Sequence, residues 1–356
     1  MKLDNIILKF LSYIVIFLFG TACSSEKDDY VPVTLENPKL EFTVPANFPE
    51  PSYNVSLNPP TEKGFELGKK LFYEGRLASD GVVSCGFCHI QDFAFTHHTH
   101  IVSHGVDGAL GTRNAQPLHN MAFMKEFTWD GAAIHLDLQP IIPITAEVEM
   151  NESFSSIIKK LEERPEYVKL FSEAFENQKI NSENILKALS QFMIMMVSAD
   201  SKYDKIERNE GSVFTEQEAA GFELFKSKCA SCHAGTLFTD QSYRNNGLSV
   251  DPQYNDLGRK RVTGLDEDLH KFKVPSLRNI ELTFPYMHDG RLKTLNDVLD
   301  HYSNGMVDSP TLDPVFKNTD TSLGILMTDL EKEQIIAFLK TLTDDNFVAD
   351  SRFSEF

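Results

Sequence analysis

Two pentapeptides in this sequence carry thiols and an imidazole at a spacing with a specific chemistry. The first, Cys-Gly-Phe-Cys-His, spans 85–89, and the second, Cys-Ala-Ser-Cys-His, spans 229–233. The pattern Cys-x-x-Cys-His is typical of c-type haem attachment, in which the thiols bind the porphyrin vinyl groups and the histidine binds the iron. Two copies in one chain predict two covalently bound haem c groups. The predicted attachment residues are Cys85, Cys88, His89, Cys229, Cys232 and His233.

A haem iron has a second axial position, and its occupant decides between electron transfer and binding of an external oxidant. Four histidines, His97, His98, His100 and His104, follow the first motif, and one of them could be that ligand. The alternatives are surface or haem-propionate contacts, or a small metal site that the spacing of these histidines supports poorly.

The segments that precede the two motifs share a pattern. Residues 61–73 and 215–226 are both predicted helices, and each carries a glycine four residues before a phenylalanine (Gly68 and Gly221). Thr215 and Glu218 predict a capping box at the start of the second helix. This internal repeat predicts a mainly α fold with two cytochrome c-like haem domains in tandem. Each glycine lets another helix pack closely, and residues 329–342 are the predicted partner in the second domain.

A strongly apolar helix is predicted at 185–197, between the two haem motifs. It contains Met193, Met195 and Met196, whose thioethers could ligate a haem iron. Methionine commonly fills protein cores, so core packing is the favoured interpretation.

Composition limits the remaining possibilities. A chain of 356 residues allows about two domains. Four of the five cysteines belong to the haem motifs, which leaves no disulfide framework. The net charge of −18 and the lack of a basic cluster argue against nucleic-acid binding. This charge suits attraction of a basic partner such as a small redox protein, or it serves solubility alone.

The N-terminal residues predict export. Residues 1–22 combine Lys2 and Lys9 with an apolar run too short to span a bilayer, which is typical of a signal peptide. The segment ending at Cys23 resembles a lipoprotein cleavage site, so Cys23 would carry a lipid anchor to the membrane; a stray cysteine after an ordinary signal is the alternative. The proline content of 23–60 predicts a tether and linker. We therefore expect a periplasmic or cell-surface lipoprotein of a Gram-negative bacterium.

Several separated motifs now point to one family. They comprise both haem pentapeptides, Gly111-Thr112-Arg113-Asn114, Phe127-Thr128-Trp129-Asp130-Gly131, Gln139, Pro143, Glu149-Met150, the run from Phe272 to Asn279 and the run from Leu282 to Gly290. In this order and spacing they resemble the bacterial di-haem cytochrome c peroxidases, a family that includes the MauG-type enzymes. The resemblance covers residues from about 60 to 345.

The resemblance implies roles for individual residues. Residues 61–205 would be the N-terminal peroxidatic haem domain, with His89 as proximal ligand, and 206–356 the C-terminal electron-transfer haem domain, with His233. Glu149 matches a distal acid–base residue, which peroxide cleavage needs because one oxygen must lose a proton and the other gain one. Gln139 matches its hydrogen-bonding partner, and Trp129 a residue between the haems. The alternatives are a solvated carboxylate for Glu149 and a core role for Trp129.

The resemblance also implies a Ca²⁺ ion at the interface of the domains. Asn114 would contribute its side-chain amide, and Thr283 and Pro285 their backbone carbonyls. Hard oxygen ligands of this kind suit calcium.

Two positions give opposite indications within the family. His104 occupies the place of a histidine that ligates the first haem in resting peroxidases and that MauG-type members lack, although the gap to Arg113 is two residues longer here. Tyr302 occupies the place of the distal ligand of the second haem, where peroxidases have methionine and MauG-type enzymes have tyrosine. Met287 and Met306 are nearby alternatives. An anionic tyrosinate would lower the potential of that haem.

Three functions follow from these observations. The first is a cytochrome c peroxidase that reduces hydrogen peroxide to water with electrons from a small cytochrome c or cupredoxin. The second is a MauG-like oxidase that uses peroxide to oxidise a protein or organic substrate. The third is a non-catalytic electron-transfer cytochrome tethered to a membrane, which Gln139 and Glu149 argue against. The family also allows a homodimer.

Overall fold

Helices and irregular loops form almost all of the computed structural model, which describes residues 36–97 and 100–356. The predicted signal peptide, Cys23 and His98 lie outside these residues. The α-helices of the described part are α1 (Glu62–Phe72), α2 (Cys85–Cys88), α3 (Ile141–Thr145), α4 (Phe154–Glu162), α5 (Pro165–Ala174), α6 (Ser182–Ile194), α7 (Lys202–Glu207), α8 (Glu216–Lys228), α9 (Lys260–Thr263), α10 (Leu295–Asp300), α11 (Asp329–Lys340) and α12 (Asp345–Val348). The short strands β1 (Tyr243–Arg244) and β2 (Phe272–Lys273) pair antiparallel, with Tyr243 opposite Lys273. The prediction of a mainly α fold is confirmed.

Side-chain caps determine where the long helices begin. Thr61 accepts a hydrogen bond from the backbone N–H of Gly64 at the start of α1. Thr215 and Glu218 form the expected capping box before α8, and Thr328 forms one with Glu331 before α11. Each cap satisfies backbone donors that a helix start otherwise leaves unpaired. The first turn of the helix that precedes each haem motif is therefore encoded locally.

Two helix pairs cross at a glycine, as the repeat predicted. A Cβ on Gly221 of α8 would lie 1.9 Å from the carbonyl oxygen of Gln334 on α11. A Cβ on Gly68 of α1 would lie 2.0 Å from the carbonyl oxygen of Ala188 on α6. Because only glycine lacks this atom, both helix backbones approach to a distance that any other residue would prevent. The apolar helix between the motifs thus becomes the partner of α1.

Two clusters of buried apolar side chains accompany these crossings. The larger surrounds α1 and α6 and includes Phe72, Phe192 and Met196, which are at most 1% exposed. The smaller surrounds α8 and α11 and includes Phe225, Phe238 and Phe338. Residues 37–356 form one compact unit. The second haem motif directly follows α8, whereas the first follows α1 after an intervening segment at 73–84. The boundary between domains at 205 remains a prediction.

The proline-containing segment before α1 differs from the expected linker. Tyr53 is only 6% exposed, and Phe48 meets Phe123 edge to face with ring centroids 5.1 Å apart. Asn47 donates to Asp204 at 2.8 Å. Residues 37–60 therefore cover the core as an irregular strap. Prolines fix φ without excluding packing, so composition alone does not distinguish a strap from a free linker.

A fully buried ion pair lies close to the second cluster. Arg278 donates to both carboxylate oxygens of Asp204 at 2.8 Å, and neither side chain is exposed. The Arg278 guanidinium also lies over the Phe48 ring, 4.4 Å from its centroid. Three distant parts of the chain, 48, 204 and 278, thus meet at one cation. None of the helices in the described part of the chain is both long and apolar enough to cross a bilayer.

Candidate functional site

A cavity of 490 Å³ lies beside the first pentapeptide. Its wall includes most of the residues that the sequence predicted for the first haem site, namely Cys85, Cys88, His89, His104, Trp129, Gln139 and Glu149. Met193 also contacts this cavity, although it is 3% exposed and belongs to the core cluster. The structure therefore brings the predicted attachment and distal residues to one enclosed space.

The histidines of the two motifs are held in the same way. His89 Nδ1 lies 2.8 Å from the Phe95 carbonyl oxygen, and His233 Nδ1 lies 3.1 Å from that of Phe238. A carbonyl only accepts, so Nδ1 carries the proton and Nε2 keeps its lone pair. Burial lowers the pKa of both imidazoles, and the carbonyl bonds offset this only in part. Two neutral imidazoles fixed by their second nitrogen are what a metal needs from a histidine ligand, so these residues fit a haem iron.

The thiols of the motifs lie in an apolar setting. Burial raises the pKa of Cys85 to about 12 and that of Cys229 to about 12. The described cysteines form no disulfide with one another. Thiols in such a setting are poor nucleophiles by themselves. They suit conversion to uncharged thioethers, which is the bond that attaches haem c.

Glu149 is a carboxyl group in a largely enclosed place on the first cavity. Burial raises its pKa, and a hydrogen bond from Ser103 Oγ to Glu149 Oε1 at 3.2 Å lowers it in part. Gly105 packs closely against the backbone of the same segment, because a Cβ there would lie 2.1 Å from the Val148 carbonyl oxygen and 2.5 Å from the Glu149 carbonyl oxygen. A carboxyl with a raised pKa exchanges a proton near neutral pH more readily than a solvated one. The enclosed position of Glu149 differs from the solvated carboxylate that the sequence left as the alternative.

His104 contacts the cavity wall, and its ring packs against another histidine. The ring centroids of His104 and His100 are 3.7 Å apart, and His100 Nδ1 lies 3.2 Å from His97 Nε2. Burial and the neighbouring His100 lower the pKa of His104. Within the described residues, no group of three or more His, Cys, Asp or Glu side chains is arranged to hold a metal ion. His97, His100 and His104 thus pack together, and His104 of these three contacts the cavity.

The second pentapeptide has its own, smaller cavity of 180 Å³. Cys229, Cys232 and His233 contact it, as do Tyr302 and Met287. Met306 is not among its wall residues and lies instead against Gly247. Tyr302 belongs to a π-helical turn, His301–Gly305, a conformation that is often found at functional sites. Of the three candidates for the distal ligand of the second haem, Tyr302 and Met287 therefore contact the second cavity and Met306 does not.

Tyr302 and Met287 share a neighbour in Asn246. The Asn246 amide donates to Met287 Sδ at 3.4 Å. Burial raises the pKa of the Tyr302 phenol to about 12, and a hydrogen bond from the Asn246 side chain acts in the opposite direction. Asn246 was not among the residues that the sequence singled out.

Known proteins resemble this chain over most of its length. Residues 62–212 match the family described as di-haem cytochrome c peroxidase. The methylamine utilization protein MauG of Methylorubrum extorquens is 34% identical over 334 residues, which are 91% of this chain and 87% of that protein. The cytochrome c551 peroxidase of Nitrosomonas europaea is 33% identical over 79% of this chain and 80% of its own length. The chain belongs to the di-haem cytochrome c peroxidase family.

A solved structure agrees with this membership. The crystal structure of a MauG-like protein associated with microbial copper homeostasis superposes with a TM-score of 0.78 and 33% identity, covering 89% of this chain and 99% of that one. Membership in the di-haem family implies two haem c groups. The two motifs, with their fixed imidazoles and enclosed cavities, are the residues that fit them.

Trp129 lies where the two cavities of this di-haem protein approach each other, because it contributes to both walls. Its indole N–H donates to the Asn114 carbonyl at 2.9 Å, and its own carbonyl accepts from the Lys273 N–H at 2.8 Å. Lys273 also contacts both cavities, and burial lowers the pKa of its ammonium group to about 8. The sequence analysis named the run from Phe272 to Asn279 that contains Lys273, but it did not predict a buried lysine between the two cavities.

The three residues of the implied calcium site, Asn114, Thr283 and Pro285, all contact the second cavity. Asn114 is 7% exposed and donates its amide to the Ile101 carbonyl at 3.1 Å, which leaves its oxygen as an acceptor. This arrangement is compatible with an oxygen-ligated cation. The calcium ion itself remains a proposal that the family pattern supports.

Proposed function

We propose that this di-haem protein uses hydrogen peroxide as its oxidant at the haem held by Cys85, Cys88 and His89. The observation that carries the proposal is the position of Glu149, a largely buried carboxyl with a raised pKa on the same cavity as His89. A pure electron carrier has no use for such a group. This consideration argues against the tethered, non-catalytic cytochrome.

A haem whose iron has an open axial position binds peroxide and transfers electrons to it. The protein side chains then manage the protons. Glu149 accepts a proton from one peroxide oxygen and delivers it to the other, which leaves as water. Gln139 is suited to hold the peroxide by hydrogen bonds. The full reaction consumes one H₂O₂, two electrons and two protons and produces two waters.

The source of the two electrons separates the two enzymatic functions. Tyr302 on the second cavity favours the MauG-like function, because an anionic phenolate ligand lowers the potential of the haem at His233. A low-potential haem is a poor acceptor from ordinary redox carriers. We therefore propose that the electrons come from a protein or organic substrate, which the enzyme oxidises. The small redox protein favoured by the sequence alone becomes the second candidate.

The cytochrome c peroxidase function retains one specific observation in its favour. His104 contacts the first cavity, at the position of a histidine that ligates the resting first haem in the peroxidases. The proposal of an exported, Cys23-anchored lipoprotein is compatible with either donor. Covalent haem attachment is extracytoplasmic chemistry, which supports export.

Steady-state turnover distinguishes the two functions. The protein, matured with both haems, is mixed with peroxide and either reduced cytochrome c or a reduced cupredoxin. We expect slow oxidation of either donor. Without any donor, peroxide should remove two electrons from the resting protein, and this more oxidised protein should persist long enough to oxidise an added phenol or indole compound. Rapid turnover with a redox carrier would establish the peroxidase function instead. A protein that consumes no peroxide in either redox state would contradict both.

A further inference from the structure

Lys273 is one of three Lys or Arg residues that are buried in the described part of the chain, the others being Arg278 and Lys332. Arg278 has its ion pair with Asp204, and Lys332 donates to Asp300 at 2.6 Å. Lys273 is 8% exposed and forms no ion pair with any described residue. A buried charge without a counter-ion costs free energy, so the environment of this ammonium group requires an anion that the described side chains do not supply.

The polar contacts of Lys273 leave its charge uncompensated. Its Nζ donates to the Glu126 carbonyl oxygen at 2.8 Å, which uses one of the three N–H donors of the ammonium group. The Glu126 carboxylate accepts instead from Arg259 at 3.0 Å, and the Asp130 carboxylate pairs with Arg113 at 2.7 Å. Burial lowers the pKa of Lys273 to about 8, although the charges of Glu126 and Asp130 raise it in part.

The position of Lys273 is determined by backbone contacts between the two cavities. Its N–H donates to the Trp129 carbonyl at 2.8 Å, and the pairing of β1 with β2 places it opposite Tyr243. Lys273 contributes to the walls of both haem cavities, and within the described residues it is the only Lys or Arg that the two walls share. The unpaired charge therefore lies at the boundary of the spaces that fit the haems.

The other cations on these walls have partners or contact solvent. Arg113 and Arg244 each hold aspartate carboxylates at 2.8 Å or less. Arg261 is exposed, so water can compensate its charge. Lys273 thus differs from them in being both buried and without a carboxylate among the residues that the structure describes.

We propose that Lys273 is a haem-binding residue whose ammonium group binds a propionate carboxylate at the boundary of the two cavities. The propionates of haem c carry the negative charge that the surrounding side chains do not provide. A charge-assisted hydrogen bond to one of them holds the porphyrin, and the cation raises its reduction potential by favouring the less positive, reduced haem. Either haem can supply the carboxylate, because Lys273 lies on both walls. This inference rests on the two haems that family membership implies and not on the proposed peroxide chemistry.

The test uses the protein matured with both haems and measures haem properties instead of turnover. Lys273→Met keeps the length of the side chain and removes the charge. Lys273→Gln also removes the charge but retains an N–H donor for the Glu126 carbonyl. We expect both variants to lower the reduction potential of at least one haem in a spectroelectrochemical titration. The propionate bending band of that haem should shift in resonance Raman spectra. Electron paramagnetic resonance of samples poised at each step assigns the lowered potential to one of the two irons.

Two further variants serve as controls. Lys273→Arg keeps the charge, so its potentials and propionate bands should lie closer to those of the wild type than in the Met and Gln variants. Lys187→Met removes the same charge from an ion pair on α6 that belongs to neither cavity wall, and its haem properties should equal those of the wild type. Lys273→Gln keeps the test valid if Lys273→Met does not mature.

Three results overturn the proposal. The first is a pair of Met and Gln variants in which the potentials and the propionate bands are those of the wild type. The second is a Lys273→Gln protein that equals the wild type while Lys273→Met does not, because the bond to the Glu126 carbonyl then explains the lysine. The third is a lowered potential without any change in the propionate bands, because the lysine then acts only at a distance. A protein that consumes no peroxide leaves these measurements unaffected and contradicts only the proposed function.

Discussion

The two haem sites of this protein are built alike around the attachment residues and differ in the other residues that line their cavities. In both, a Cys-x-x-Cys-His motif follows a helix that crosses a partner at a glycine, and a backbone carbonyl holds the histidine. The first cavity measures 490 Å³, and Glu149 and Gln139 are among the residues that line it. The second measures 180 Å³ and presents Tyr302 and Met287.

Under the proposed function, this difference lets one repeated unit serve two roles. The larger space, with Glu149 as its acid–base group, would receive the external oxidant. The smaller space, with Tyr302 and Met287 on its wall, would not. The helices and motifs therefore provide attachment, and the loops between them decide the chemistry. Five substitutions test the chemistry and the scaffold behind this comparison, at Glu149, Arg278, Gly221, Gly68 and Ser103.

The largest expected effect is at Glu149. Glu149→Gln preserves the shape and removes the acid–base function, so peroxide turnover should fall by about 10²–10⁴-fold, the usual contribution of a positioned general acid–base group. Both haems should remain bound. Peroxide consumption and haem absorbance measure the two quantities separately.

Glu147→Gln is the matched control, because it removes an exposed carboxyl two residues away. Its turnover should equal that of the wild type. Unchanged turnover in Glu149→Gln would remove this residue from the mechanism, and with it the functional contrast between the cavities.

A second substitution tests the buried ion pair close to the second cluster. Arg278→Leu leaves the Asp204 carboxylate buried without its cation, which should lower the free energy of unfolding by about 3–5 kcal/mol. The exposed pair of Lys187 and Glu183 on α6 is the comparison, and Lys187→Met should cost less than about 1 kcal/mol. Urea denaturation measures both. If Arg278→Leu and Lys187→Met lower the free energy of unfolding by the same small amount, Asp204 must have found another partner in the Arg278 variant.

The helix crossings provide a third test. A methyl group on Gly221 or Gly68 would meet a backbone carbonyl at about 2 Å, so the helices must separate. Gly221→Ala and Gly68→Ala should each lower the free energy of unfolding by about 1–3 kcal/mol, as overpacking commonly does. Gly211→Ala, at a glycine with open space around its Cβ position, controls for the loss of a glycine, although its φ of 83° adds strain. If Gly221→Ala and Gly68→Ala leave the free energy of unfolding unchanged in urea denaturation, close packing at these glycines does not stabilise the fold.

The smallest effect is expected at Ser103. Its hydroxyl bonds the Glu149 carboxylate and so lowers a pKa that burial raises. Ser103→Ala removes the bond and should raise the pKa of Glu149 further. The limb of the pH–rate profile that needs ionised Glu149 then moves to higher pH, because the effect of burial on this pKa is no longer opposed by the hydrogen bond. A limb that stays in place would show that another group sets it.

Much of the attachment chemistry was readable from local sequence. The pentapeptides, the glycine spacing and the capping pair of Thr215 and Glu218 each involve a few neighbouring residues, and short-range patterns of this kind survive any fold. Glu149 and Gln139 required more, because only their match to the family pattern distinguished them from other polar residues. The proline-rich strap at 37–60 was misjudged as a linker, because composition does not report contacts.

Tertiary structure alone decided which side chains meet. Ser103 lies 46 residues from Glu149 in sequence, and no local pattern connects them. Asn246 reaches Met287 across 41 residues, and Trp129 joins both cavity walls only because two distant parts of the chain come together there. The physical reason is the separation in sequence of the residues involved. Haem attachment depends on residues within one pentapeptide, whereas the residues around each haem site come from remote segments that only folding brings together. Sequence therefore determined that this protein binds two haems, and the folded chain determined what faces each of them.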